Sequence, residues 1–159
     1  MNRFMKLTFI AASVAAAFAA QAAPTGAAKL DLSGSVAMNC TIAVAPTAKA
    51  TSLDIKGGEV GTMVGTVTED CNSVTGYAVT ITSANSGQLR TNPNDATAPL
   101  AAYAVSYSDA TGDISSALTT TRKQATFNSA NKLVVDIAAN AQAIAGSYSD
   151  TVTLQIAAK

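Results

Sequence analysis

The segment from Leu30 to Val44 constrains this chain more than any other. Its even positions read Leu30, Leu32, Gly34, Val36, Met38, Cys40, Ile42 and Val44. Its odd positions read Asp31, Ser33, Ser35, Ala37, Asn39, Thr41 and Ala43. Alternation with a period of two predicts extended backbone with one face against a core, because successive side chains point to opposite faces. The run overshoots an ordinary strand, which spans about 3–10 residues. Two arrangements satisfy it: one strand bent at Gly34, or two strands that belong in different places.

Further alternation follows at turn-bounded intervals. Met63, Val67 and Cys71 come after Gly57, Gly58 and Gly61. Tyr77, Val79 and Ile81 come after Gly76, in a stretch of β-branched and aromatic residues. Tyr103, Val105 and Tyr107 share one face of a strand predicted over 100–107, and Leu133, Val135 and Ile137 one face of another. The last strand is read from Tyr148 through Val152, Leu154 and Ile156, opened by Gly146. Loops are expected at Asn85-Ser86-Gly87, at Asn92 to Asp95 and at Thr111-Gly112-Asp113. The Ala-rich stretch 138–145 fits a helical turn or a loop equally well. Six or seven short strands and no convincing amphipathic helix predict an all-β sandwich in one domain.

The N-terminus has the three-part layout of an export signal. Arg3 and Lys6 precede an apolar run from Leu7 to Ala20, and Ala20-Gln21-Ala22 offers small residues for cleavage. The run is shorter than the roughly 20 apolar residues that a spanning helix needs. Cleavage after Ala22 leaves 137 of the 159 residues, and removal of Arg3 and Lys6 leaves eight basic against ten acidic residues. No basic footprint for nucleic acid is present, nor a basic amphipathic helix for a membrane surface. The chain lacks Trp and only 13% of it is charged, so its core must be built from Val, Ile, Leu and Ala with a few Tyr. Cys40 and Cys71 are the two cysteines. An even count in an exported chain predicts a disulfide. Closing that loop contributes about 3–4 kcal/mol on the chain-entropy model.

Catalytic equipment is sparse. The sequence has no histidine, which removes Ser-His-Asp and Cys-His arrangements and the usual zinc ligand sets. Its carboxylates are scattered. Glu69-Asp70 is the one adjacent pair, and neighbours on a strand point to opposite faces, so a solvated loop pair is expected rather than an acid/base dyad. Gly57, Gly58 and Gly61 lack the spacing of a phosphate loop. An enzyme is not expected, nor a cofactor or metal.

Taken in order, these residues resemble the pilin subunits of the bacterial chaperone–usher pathway. The resemblance rests on the export signal and the alternating arm. It rests also on Gly34-Ser35-Val36-Ala37-Met38-Asn39-Cys40-Thr41-Ile42 leading into a first strand, on Cys71 ending the next, and on the close Ala145-Gly146-Ser147-Tyr148-Ser149-Asp150-Thr151-Val152-Thr153-Leu154. That close, with Tyr103-Ala104-Val105-Ser106-Tyr107, is most similar to the archaic branch with spore-coat-protein-U-like pilins. The chain ends Ile156-Ala157-Ala158-Lys159, without the penultimate tyrosine common among such subunits.

The resemblance implies an immunoglobulin-like sandwich that lacks its seventh strand and is completed by a donor strand from a neighbouring subunit. It divides the chain into a signal peptide (1–22), a donor arm (23–34) and a pilin domain (35–159), with the domain's own first strand running from Val36. Gly26, Ala28, Leu30 and Leu32 would be the donor plugs. Val152, Leu154 and Ile156 would line the acceptor groove and pair with a periplasmic chaperone, which would grip the carboxylate of Lys159. Partners would be copies of itself, that chaperone and an outer-membrane usher, with no nucleic acid and no membrane insertion. The place would be a cell-surface fimbrium serving adhesion and biofilm formation. The competing expectation is a secreted, self-complete immunoglobulin-like binding or coat protein, with Leu30 and Leu32 in an ordinary first strand.

Overall fold

The computed structural model describes residues 26–92, 94–95 and 97–159. The expected export signal, 1–22, and arm residues 23–25 lie outside the described residues. The chain divides into two units between Ser35 and Val36. In the first, residues 26–35 carry no regular secondary structure. Leu30 and Leu32 keep 80% and 85% of their surface exposed.

The second unit is built of strands. They are β1 (Cys40–Pro46), β2 (Glu59–Cys71), β3 (Tyr77–Ser83), β4 (Gln88–Arg90), β5 (Leu100–Tyr107), β6 (Ala110–Asp113), β7 (Leu118–Arg122), β8 (Thr126–Ile137) and β9 (Val152–Ala158). A 3₁₀ turn at Ala48–Thr51 follows β1. One sheet runs β1-β2-β8-β5-β4, with β6 also on β5; the other runs β7-β3-β9. Every ladder is antiparallel.

The strand order is immunoglobulin-like. In that sandwich A, B, E and D form one sheet and C, F and G the other. β1, β2, β8 and β5 take the places of A, B, E and D, and β3 and β9 those of C and F. No strand among the described residues takes the place of G beside β9. The sandwich is incomplete at one position.

Alternation explains what is buried. Val67 and Cys71 on β2, Tyr77, Val79 and Ile81 on β3, and Val105 and Tyr107 on β5 are fully enclosed. Leu133, Val135 and Ile137 of β8 complete that core. Cys40 stands directly opposite Cys71 in the β1–β2 ladder, and the two form the expected disulfide. Gly76 opens β3 at a positive φ of 81°, where a Cβ would lie 2.0 Å from the Arg122 carbonyl oxygen, so only glycine fits there.

Glu69 overturns the expectation of a solvated loop pair. It lies within β2, fully buried, on the same face as Val67 and Cys71. Its carboxylate accepts hydrogen bonds from the Tyr77 hydroxyl (2.6 Å), the Tyr107 hydroxyl, and Arg122 Nε (3.0 Å) and Nη2 (2.7 Å). Glu69 and Tyr107 belong to one sheet, Tyr77 and Arg122 to the other, so this cluster joins the two layers. Arg122 sits over the Tyr107 ring, 6.0 Å from its centroid, and donates from Nη1 to Thr120 Oγ1 (2.9 Å). Burial, and then the Glu69 carboxylate accepting their protons, hold both phenols above the ordinary tyrosine pKa.

Other expectations need correction at their boundaries. The first strand starts at Cys40 rather than Val36, and Val36 and Met38 are 88% and 65% exposed. Thr111-Gly112-Asp113 belongs to β6, because Thr111 and Gly112 pair with Ser106 and Val105 across a tight turn. Tyr148 lies ahead of β9, with its hydroxyl on the Ile144 carbonyl (2.8 Å). Residues 138–145 form no helix.

The buried carboxylate gives a direct test. Arg122→Met leaves the Glu69 charge enclosed without its cation, a change worth about 3–5 kcal/mol. Urea unfolding of the oxidised chain is expected to show that loss, and a loss under about 1 kcal/mol would mean the cluster does not hold the layers together.

Candidate strand-accepting groove

The open position of the sheet lies between β9 and β1. β9 pairs with β3 on one side only, and β1 with β2 on one side only. Both strands therefore present a free backbone edge among the described residues. An unpaired edge is a template for another strand.

Burial along these edges shows which side lacks cover. In the β3–β9 ladder Val79 pairs with Ile156 and Ile81 with Leu154. Val79 and Ile81 are fully buried, yet Val152, Leu154, Ile156 and Ala158 are only half-buried. In the β1–β2 ladder Val44 pairs with Val67; Val67 is wholly enclosed and Val44 is 47% exposed. Core-facing side chains thus lose their cover at the two facing edges. Between them runs an apolar furrow of about 220 Å³, lined on its flanks by Val44, Pro46, Val152 and Leu154 and on its floor by Val64, Leu133 and Val135.

Two carboxylates shape the end of the furrow. Asp150, just before β9, accepts from the Ser83 hydroxyl (2.5 Å), the Tyr103 hydroxyl (2.6 Å) and the Asn85 N–H (3.0 Å). It fixes the start of β9 to the end of β3 and to β5. Burial, followed by the Asp150 carboxylate, raises the Tyr103 phenol above its usual pKa. Glu59, buried at the head of β2, accepts from Lys49 Nζ (2.8 Å), the Asp54 N–H (2.7 Å) and the Thr62 hydroxyl (2.6 Å). Those contacts hold the segment from the 3₁₀ turn to residue 54, whose Ala50 and Leu53 also line the furrow. Lys49, then Thr62 and the Asp54 N–H, depress the Glu59 carboxyl to a pKa of about 2.

The structure brings together some of the residues expected from sequence. Val152 and Leu154 line the furrow, and Ile156 continues their row along β9. Lys159 closes the chain at the other end of that row, where its N–H donates to the Gly76 carbonyl (3.0 Å) and its own carbonyl accepts from the Thr75 hydroxyl. Sequence reading missed Asp150, the Glu59 anchor and the 3₁₀ turn, because each acts across a long separation or an irregular loop. Glu69 did carry a signal: it stands two residues from both Val67 and Cys71, at core parity.

No protein-family model matches the chain, and no curated protein does. Among solved structures, the chain is similar to the E. coli Hda pilus minor tip subunit HdaB, at 13% identity and a TM-score of 0.42. The match covers 73% of this chain and 79% of that one. A likeness this distant does not decide function, which rests on the strand topology and the furrow.

Glu59 makes the furrow wall acid-sensitive. Its folded pKa of about 2 lies below the ordinary value of 4.5, so the unfolded chain binds more protons between those two values. Stability from this group is therefore complete above pH 4.5 and lost as pH falls toward 2. Glu59→Gln is expected to flatten the part of the pH–stability curve that lies in this window, as read by thermal unfolding. An unchanged slope would mean that Glu59 does not govern the acid response.

Proposed function

We propose that this chain is a structural subunit of a surface pilus, polymerised by donor-strand exchange and serving adhesion and biofilm formation. The observation that carries the reading is the half-buried row Val152, Leu154 and Ile156 beside a free edge and an apolar furrow. A sandwich complete in itself would enclose that row as β3 encloses Val79 and Ile81, so no observation favours the self-complete binding or coat protein.

The arm supplies a matching set. Gly26, Ala28, Leu30 and Leu32 recur with period two across seven residues. The half-buried positions 152, 154, 156 and 158 also recur with period two across seven residues. In this reading the arm of one copy, 23–34, enters the furrow of the next. Alternate side chains seat in the core while the backbone adds a strand to the β9 edge. Each leucine so buried contributes about 1.5–3 kcal/mol, and each backbone hydrogen bond about 0.5–1.5 kcal/mol. Withdrawal of a whole strand is slow, so the joint would be kinetically stable.

Before assembly the same edge needs another occupant. We assign that role to a periplasmic chaperone strand along β9, with Lys159 at the end of its contact. An outer-membrane usher would act next, with export directed by residues 1–22.

Deletion of residues 23–33 is expected to abolish polymers of the exported protein while leaving its chaperone complex intact. Leu30→Asp combined with Leu32→Asp should do the same, and Leu154→Asp should block acceptance. Gel filtration and electron microscopy read all three. A full-length protein that stays a stable monomer, with unfolding unaltered by the deletion, would overturn the proposal.

A further inference from the structure

The chain between the arm and the first strand is held by one residue. Residues 36–39 lie outside every strand, yet they belong to the folded unit that begins at Val36. Asn72, the first residue after β2, makes three hydrogen bonds to them. Its N–H donates to the Asn39 carbonyl (3.1 Å), its Oδ1 accepts from the Asn39 N–H (2.7 Å), and its Nδ2 donates to the Ala37 carbonyl (2.8 Å).

The two side-chain bonds have a particular geometry. A carboxamide that accepts from one N–H and donates to the carbonyl two residues earlier copies the pairing of a parallel strand. One backbone bond carries the antiparallel register past the Cys40–Cys71 pair to Asn39 and Asn72, and the Asn72 side chain extends the contact to Ala37. Val36 and Met38 are largely exposed and only border a shallow surface hollow beside Val74, so little apolar burial holds this segment. The carboxamide gives it direction.

We propose that Asn72 is a positioning residue that aims the donor arm, moving the joint's point of bending from the start of β1 to residues 33–36, which include Gly34. This rests on the strand-donation reading above. In a polymer, the angle between successive subunits would be set by how rigidly residues 37–39 continue their own domain, and Asn72 sets that rigidity.

Hydrogen exchange on the full exported chain tests the clamp in any assembly state. The Asn39 amide is expected to be protected, and Asn72→Ala to speed its exchange by about three- to tenfold, as the loss of one exposed hydrogen bond allows. Asn72→Asp keeps an acceptor for Asn39 and loses the donor to Ala37, so it should fall between the two. Equal thermal midpoints would show that the fold is intact; a variant that unfolds is replaced in the comparison by Asn72→Asp. In electron micrographs of fibres, Asn72→Ala should broaden the spread of angles between neighbours. An Asn39 amide that is unprotected in the native chain, or unchanged in both variants, overturns the clamp. An unchanged angular spread overturns its aiming role. If the native chain forms no fibres the pilus reading falls, and the exchange result still decides whether Asn72 holds the arm's root.

Discussion

The two layers of this sandwich are joined by a charge. Glu69 sits in the interior with no exposed surface, and two phenols and a guanidinium converge on its two oxygens. Enclosing a carboxylate is costly unless every lone pair finds a donor, and here four donors meet it. Few large side chains are available to this chain, which has no Trp and a core of Val, Ile, Leu, Ala and Tyr. The polar cluster sets the separation of the sheets where apolar bulk is scarce. Because it ties β2 and β5 to β3 and β7, it leaves β1 and β9 to be positioned by other contacts.

Those contacts make the open furrow tolerable. Each facing strand is secured from its other side: β1 by its ladder to β2 and the disulfide, β9 by its ladder to β3 and by Asp150 at its start. The missing strand can stay missing without the sheets closing over the gap. Exposed apolar side chains and an unpaired edge remain among the described residues, the features that make a sheet edge a template for another strand.

Much of this was legible from spacing. Period-two alternation located the inward faces of β3, β5, β8 and β9 and the Val67–Cys71 part of β2, where a register shift puts Val64 rather than the expected Met63 in the core, and the even cysteine count located the disulfide. The overlong alternating run pointed to a change of role within it, but placed the change near Gly34. The strand begins six residues later, because Asn72 rather than a sheet partner holds residues 37–39, and side-chain pairing leaves no periodic trace. The short strands β4, β6 and β7 went unseen, since three to five residues of Thr, Gln and Gly carry too little apolar alternation. Glu69 was misread because charge was weighed above parity. The furrow itself arises from the absence of a partner, which alternation along β9 does not record; its burial row distinguishes it from β3 only in three dimensions.

The Cys40–Cys71 link has a bearing on the form of the furrow. One flank of the opening is β1, an outermost ribbon whose one lateral neighbour among the described residues is β2, and the sulfur bridge sits at the root of that ribbon. Where thiols are kept reduced, the flank would rest on its ladder, on Ile42 packed against the core and on the Thr47 bonds to β2, without the covalent tie at its root. Oxidation therefore does more than toughen the molecule: it ties the root of one flank of the opening to its neighbour, so the redox state of the surroundings bears on the shape of the slot as well as on stability.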